Sequence, residues 1–293
     1  MTSGLGLLRT LRPQQWVKNV FVAAPLVFAQ HLTETPYLLR SAAAVLAFCL
    51  LSGAVYAFND VRDVEADRQH PRKRFRPIAA GQLSERAALI SAGVLAVIAL
   101  AGCFAIHWQL GAFATAYLAQ NIAYSLKLKQ IAFLDVAVIT SGFVLRVLAG
   151  AAAIAVPASG WLLICTVLLA ALLGFGKRAH ELAWAQRSGD SKETRAALLG
   201  YSLPTLRAAM YLLAAATCAA YIAYTLDEHT MAMFGSERLV ISAPFVALGI
   251  VRFLSLALWH PKDDSPTEAM LRDPWFLVVV AGAVAAILYA IYA

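Results

Sequence analysis

Long, nearly uninterrupted runs of apolar residues, separated by short polar connections, make up most of this chain. Runs of membrane-spanning length lie at about residues 15–31, 38–58, 86–106, 108–126, 131–155, 160–176, 205–226, 238–259 and 274–292. A hydrocarbon core of about 30 Å takes about 20 apolar residues in a helix. Nine helices are therefore predicted, the first and sixth on the short side. The two-residue alternation of a membrane strand barrel is absent. The expected fold is all-α: an integral membrane bundle in which residues 1–293 form a single polytopic domain. Trp16, Lys18 and Asn19 open the first span itself, so no cleavable leader is expected.

Composition agrees with that pattern. Hydrophobic residues make up 61% of the chain and charged residues 14%, with a mean hydropathy of +0.69, far from the soluble globular balance. The charges decide orientation. Twenty of the 24 Lys and Arg fall at the N-terminus or in the connections after the second, fourth, sixth and eighth helices, where the last group includes Lys262 and Arg272. By the positive-inside rule those parts are cytoplasmic and the C-terminus lies outside. All six tryptophans fall at or just beyond predicted helix ends, where an amphipathic ring prefers the interface.

The segment Asn59 to Pro77, NDVRDVEADRQHPRKRFRP, follows the second apolar run without a break. If the helix continues, Asn59, Asp63 and Asp67 recur at i, i+4 and i+8 with Asp60 among them, an arc of roughly 100°. Hard oxygen ligands at that spacing suit Mg²⁺ held together with a substrate diphosphate, and the Arg and Lys cluster beyond neutralises remaining phosphate charge. A loop that only orients the protein needs Lys and Arg, and has no use for a one-sided row of acids. Pro71 and Pro77 bracket HPRKRFRP, which is not expected to be regular helix.

Three cytoplasmic stretches, at about 59–85, 125–131 and 177–204, therefore form the candidate site. The second, YSLKLKQIAFLD, places Tyr124, Lys127 and Lys129 ahead of Asp135, which is a candidate cavity residue. The third opens GKRAHEL, where Lys177 and Arg178 precede Glu181; Glu181 stands one turn from Lys177, and a simple ion pair between them is the alternative. Asp135 and Arg146 share one stripe of the fifth helix with Gly142, a placement that normally faces the bundle interior, and for Arg146 the alternative is that it snorkels outward or bonds helix carbonyls. Arg252 in the eighth helix is left open. Cys49, Cys103, Cys165 and Cys218 lie in four different spans and read as packing residues. His31, His107, His180 and His260 are among six scattered histidines without zinc-type spacing. The net charge of +7 comes with no nucleic-acid-binding module, so anionic lipid and phosphorylated substrates are the expected partners. A transporter would show repeated halves and broken mid-membrane helices, whereas charge here gathers on one face.

The NDxxDxxxD pattern of Asn59, Asp60, Asp63 and Asp67, with RPQQWVKN at the first span, resembles the UbiA-type intramembrane transferases over essentially the whole chain. That resemblance implies nine helices around a cavity open to lipid, with Mg²⁺ bridging a donor diphosphate to aspartate-rich motifs. Most members move a prenyl chain from its diphosphate to an aromatic acceptor, and that activity stays an alternative. Such enzymes carry a second aspartate-rich motif after the sixth helix; here Lys177, Arg178 and Glu181 stand in its place. That departure, together with HPRKRFRPIAAG and YSLKLK, is similar to the branch that transfers phosphoribose.

The resemblance implies phosphoribosyl diphosphate as donor and a polyprenyl phosphate, decaprenyl in that branch, as acceptor. The implied product is a polyprenylphosphoryl 5-phosphoribose on the route to lipid-linked arabinose of the cell wall, made at the inner membrane. Asn59, Asp63 and Asp67 are then the metal ligands, and nearby carboxylates such as Asp60 stabilise positive charge on the ribose ring. Lys73, Arg74, Lys127 and Lys129 are candidates for donor phosphates; Lys18, Lys177 and Arg178 for the acceptor or diphosphate; Arg68 for either. The acceptor phosphate is already ionised, so no general base is needed. A homo-oligomer is left open.

Overall fold

The computed structural model describes residues 3–188, 196–259 and 266–293, which are helices and turns with no strand among them. The helices are α1 (Ser3–Thr10), α2 (Val20–Phe28), α3 (Thr35–Arg62), α4 (Val64–Gln69), α5 (Glu85–Ile106), α6 (Trp108–Leu126), α7 (Leu134–Ala153), α8 (Gly160–Ser188), α9 (Leu203–Leu226), α10 (Glu228–Phe234), α11 (Ala243–Leu258), α12 (Pro266–Arg272) and α13 (Pro274–Tyr292). Lys192, Arg195, His260 and Lys262, which figure in the charge and histidine patterns, lie outside the described residues.

Each of the nine apolar runs is helical, but among the described residues seven helices are long and apolar enough to cross a membrane by themselves. These are α3, α5, α7, α8, α9, α11 with the 3-10 turn before it, and α13. The first run is divided into a 3-10 helix, Pro13–Asn19, and the nine-residue α2, which contains Pro25. The fourth run, α6, has 19 residues, and Gln109, Gln120 and Asn121 dilute its apolar content. The sixth run departs from expectation in the other direction. It is not short: α8 continues for 29 residues, through GKRAHELAWAQRS. No Gly or Pro interrupts residues 177–188, and Ala, Leu, Glu, Lys, Arg and Gln all favour helix. Lys177, Arg178 and Glu181 are thus helical residues, not the start of a loop.

Polar caps mark where several helices begin. Ser84, Ser202, Asp227 and Asp273 accept from the amides of Ala87, Thr205, Thr230 and Phe276, satisfying N–H groups that the first helical turn leaves unpaired.

Contacts divide the chain into two compact units, Met1–Lys129 with Gly142–Ala158, and Gln130–Ser141 with Ser159–Ala293. In the first unit α3 packs on α5, α6 and α2. Its core includes Val22, Ala44, Phe48, Leu51, Cys103, Ala114, Tyr117 and Ala149. Small residues let membrane helices approach closely, and Gly150 is the extreme case. A Cβ there would stand 1.9 Å from the Val22 carbonyl oxygen, so α7 meets α2 backbone to backbone. The outside is the greasy side. On α5, Leu89, Ile90, Val94, Val97 and Ile98 are exposed while Ala88, Ala92 and Ala99 are buried, the arrangement of a helix bathed in lipid.

In the second unit α8 packs on α9, and α11 on both of them and on α13. Val136, Leu172, Leu206, Met210, Ile250 and Phe253 form the core. Arg252 of α11 donates to both carboxylate oxygens of Asp273, at 3.0 and 2.6 Å, so this intramembrane cation is tied to the residue that caps α13.

Candidate functional site

α3 ends at Arg62, and Asp63 stands between it and α4 with φ −98° and ψ 9°. The break is slight. The Asp63 amide donates to the Asn59 carbonyl at 2.9 Å, and the Asp67 amide to the Asp63 carbonyl at 2.8 Å. Backbone bonding thus carries the helical path past Asp63, and the acids recur at the predicted four-residue spacing across the junction.

Their side chains fall into two groups. Asn59 Nδ2 donates to Asp63 Oδ2 at 3.1 Å. The buried ammonium of Lys129 lies 2.6 and 2.7 Å from the two Asp63 carboxylate oxygens and 3.4 Å from Asn59 Oδ1. Asp60 and Asp67, both almost fully buried, instead share the Arg76 guanidinium, whose Nη1 lies 3.1 Å from Asp60 Oδ1 and 2.6 Å from Asp67 Oδ2. Arg12 reaches Asp60 as well, at 2.5 Å, and its guanidinium stacks on the Tyr56 ring at 5.0 Å. Arg12 holds this position with φ 51°, in the left-handed region and directly before Pro13. A non-glycine residue there is strained backbone, and it persists only where surrounding contacts fix it.

These side chains suit a divalent cation. The Lys129 ammonium stands in for one: it already sits among three oxygens of Asn59 and Asp63. Among the described residues no three Asp, Glu, His or Cys side chains are placed to bind a metal by themselves. The remaining ligands would come from phosphate and water, as is usual for Mg²⁺, which takes one or two carboxylates plus substrate oxygens. Asp67, assigned to the metal from its spacing, is occupied by Arg76.

The second unit carries its own charged cluster. Asp135, in the first turn of α7, and Arg178 of α8 are fully buried and ion-paired, with Arg178 Nε 2.5 Å from Asp135 Oδ2. Arg178 also bonds Glu181. Tyr201 donates to Asp135 Oδ1 at 2.7 Å and accepts from the Phe133 amide at 2.6 Å; Phe133 is itself left-handed, with φ 65°. Burial, and then the bond to Asp135, push the Tyr201 phenol up, so it remains a donor. Lys177 lies 4.0 Å from Glu181. With its charge shared between two carboxylates, Arg178 is placed to position Glu181, whose side chain is 31% exposed.

The other sequence candidates differ in exposure and partners. Arg68 turns outward to Glu65 and Glu85, at 2.5 and 3.5 Å. Lys73 and Arg74 are exposed, and Arg74 stacks on Phe75 at 4.9 Å. Lys127 is exposed, while Lys18 and Tyr124 are half-buried. Arg12, Arg76 and Tyr201 do not stand out in the sequence by spacing or charge. A signal exists for two of them: the chain contains two Arg-Pro pairs, Arg12-Pro13 and Arg76-Pro77, and both arginines converge on Asp60.

Residues 19–278 match the family described as the UbiA prenyltransferase family. A decaprenyl-phosphate phosphoribosyltransferase of Mycolicibacterium smegmatis is 35% identical over 92% of this chain and 86% of its own length. The protein of the same name from Mycobacterium tuberculosis is 36% identical over 92% of this chain and 88% of its own. Among solved structures, a UbiA homolog from Archaeoglobus fulgidus bound to GPP and Mg²⁺ has a TM-score of 0.73 and 18% identity, covering 98% of this chain and all of the other. At that identity the likeness is one of fold.

Proposed function

We propose that this chain, which belongs to the UbiA prenyltransferase family, transfers 5-phosphoribose from phosphoribosyl diphosphate to a polyprenyl phosphate. The observation that carries this reading is that its full-length relatives are named for that activity. The interleaving of acids and bases at the end of α3 supports it. Arg12, Arg76 and Lys129 are threaded among Asn59, Asp60, Asp63 and Asp67, which suits substrates carrying more than one phosphate.

In the reaction, an acceptor phosphate oxygen forms a bond to the anomeric carbon. The bond from that carbon to the diphosphate oxygen breaks, and its electron pair leaves with diphosphate. Asn59 and Asp63 would hold Mg²⁺, which supplies positive charge against the leaving diphosphate when bound. With Asp63 given to the ion, Lys129 would pair with a donor phosphate in its place, exchanging one anionic partner for another. Asp60 and Asp67 keep Arg76 oriented. The acceptor is ionised before it reacts, so no side chain has to remove a proton, and a single displacement inverts the anomeric centre. In the second unit, Arg178 and Tyr201 hold Asp135 and Glu181, and Lys177 and Glu181 are the groups there most accessible to a substrate.

The same reading sets the membrane arrangement. Nine crossings, counting the divided first run and α6, put the N-terminus and both clusters on the cytoplasmic side of the inner membrane, where phosphoribosyl diphosphate is available.

The test is a paired assay on purified protein in detergent. Labelled phosphoribosyl diphosphate with polyprenyl phosphate is expected to yield labelled lipid and diphosphate. Product only from a prenyl diphosphate and 4-hydroxybenzoate would overturn the assignment in favour of prenyl transfer.

A further inference from the structure

Of the two buried cations in the first unit, Lys129 is neutralised by Asp63, but no carboxylate among the described residues neutralises Arg146. Only 6% exposed, Arg146 donates to Asn19 Oδ1 at 2.9 Å, to the Gly142 carbonyl at 2.9 Å and to the Tyr117 hydroxyl at 2.8 Å. Its guanidinium lies 4.6 Å from the Tyr117 ring centre and 5.3 Å from that of Phe143. Every one of these partners is uncharged, and among the described residues no carboxylate pairs with it. Three bonds use three of its five N–H donors.

A full positive charge held within apolar spans without a counter-charge is unfavourable, and intramembrane charges are normally paired or line a substrate path. The surrounding bonds aim this cation and leave its charge intact. Ser52 bonds both Asn19 Oδ1 and the Tyr117 hydroxyl at 3.3 Å, which fixes the level of the network about 10 Å along α3 from Asn59, toward the apolar interior. Tyr56 lies between, within electrostatic reach of Arg146, Arg12 and Asp60.

We infer that Arg146 binds the phosphate of the lipid acceptor. The inference rests on the reading above, and its geometry follows from in-line displacement. The attacking oxygen and the leaving diphosphate stand on opposite sides of the anomeric carbon. With the diphosphate at the cytoplasmic end of α3, the attacking phosphate lies on the membrane side, where the polyprenyl chain already is and where Arg146 is the buried cation of this unit left without an anion. The two remaining N–H donors match phosphate oxygens, and the arriving dianion supplies the missing counter-charge.

Asn19→Asp tests this without removing the arginine. The new carboxylate accepts from Arg146 and Ser52 in place of the amide oxygen and gives the guanidinium an internal partner. The expected result is a melting temperature equal to or above that of the wild type, with KM for polyprenyl phosphate raised at least tenfold and KM for phosphoribosyl diphosphate within twofold. Arg146→Lys is expected to show the same split. A purely structural arginine predicts unchanged acceptor KM in Asn19→Asp, and that result would overturn the inference. A raised donor KM with an unchanged acceptor KM would assign the phosphate to the donor and overturn it equally.

A second measurement needs no turnover. Polyprenyl phosphate is expected to raise the melting temperature of the wild type while polyprenol does not, and Asn19→Asp is expected to abolish the difference. Equal shifts from both lipids would overturn the inference. Wild-type protein that shows the phosphate-dependent shift but no transfer from phosphoribosyl diphosphate defeats the functional reading and leaves the lipid-phosphate site standing.

Discussion

Arg12 and Arg76 donate to the same atom, Oδ1 of Asp60, from 2.5 and 3.1 Å. One carboxylate oxygen thereby fixes the entry to the first apolar run and the proline-bracketed segment after α4. Arg76 also holds Asp67, so it is the common partner of two nearly buried acids.

Removal of Arg76 therefore takes from buried Asp67 the cation that bonds it and leaves Asp60 to Arg12. Arg76→Ala is expected to destabilise the protein by about 3 kcal/mol, the scale for breaking a buried pair from one side. Arg74→Ala, which loses only an exposed stack on Phe75, is expected to stay within about 0.5 kcal/mol. Thermal unfolding in one detergent compares the two, and equal losses would remove Arg76 from this role.

Chelation is expected to abolish turnover, and Asp63→Asn to do the same while the protein stays folded and monodisperse. The readout is transfer rate against added Mg²⁺, with size-exclusion chromatography as the folding control. Full activity in EDTA would eliminate the metal from the mechanism.

Lys129→Ala is expected to raise KM for the phosphorylated donor roughly ten- to a hundredfold, since a charge-assisted hydrogen bond contributes about 1.5 to 3 kcal/mol. Lys177→Ala should weaken one of the two substrates on the same scale. Arg68→Ala is the control, because Arg68 faces Glu65 and Glu85. Indistinguishable substrate affinities across the three variants would reduce the basic residues to an orienting role.

Tyr201→Phe removes the donor to Asp135 and the acceptor for the Phe133 amide in one step. A loss of about 1 to 3 kcal/mol is expected for leaving buried polar groups unmet. Thermal unfolding reads it, and an unaltered melting temperature would show that neither bond contributes.

Orientation is open to labelling in intact cells. In a background freed of the four native cysteines, a thiol at His229 is expected to react with an impermeant reagent from outside, and one at Arg72 only after lysis. Outside labelling at Arg72 would reverse the topology and remove the acidic cluster from the cytoplasm.

Much of the fold is legible in the sequence because the transfer of apolar side chains into lipid outweighs every other influence on a membrane helix. Apolar length predicts nine helical runs, and all nine are helical, although among the described residues seven helices meet the length and hydropathy of a crossing on their own. The spacing of Asn59, Asp63 and Asp67 predicts that they align, since helical geometry is local. The partners they take are not legible. Which cation meets which carboxylate depends on contacts between distant segments, so charge and spacing do not rank Arg12 and Arg76 above the exposed Lys73 and Arg74, and the Arg-Pro pairing is the one local sign that sets them apart. The extent of α8 is hidden for a related reason. Charge normally signals the end of a span, but Lys177, Arg178 and Glu181 pair with one another and with Asp135, so the helix continues beyond the apolar run.

The ammonium of Lys129 among the Asn59 and Asp63 oxygens has a consequence for biogenesis. Acids gathered to receive a cation would repel one another in a newly inserted chain that has met neither ion nor substrate. A tethered lysine supplies the charge from within, so under the proposed metal role insertion and folding are expected to proceed without divalent ions, and ion supply is expected to change how fast the protein works and not how much of it accumulates.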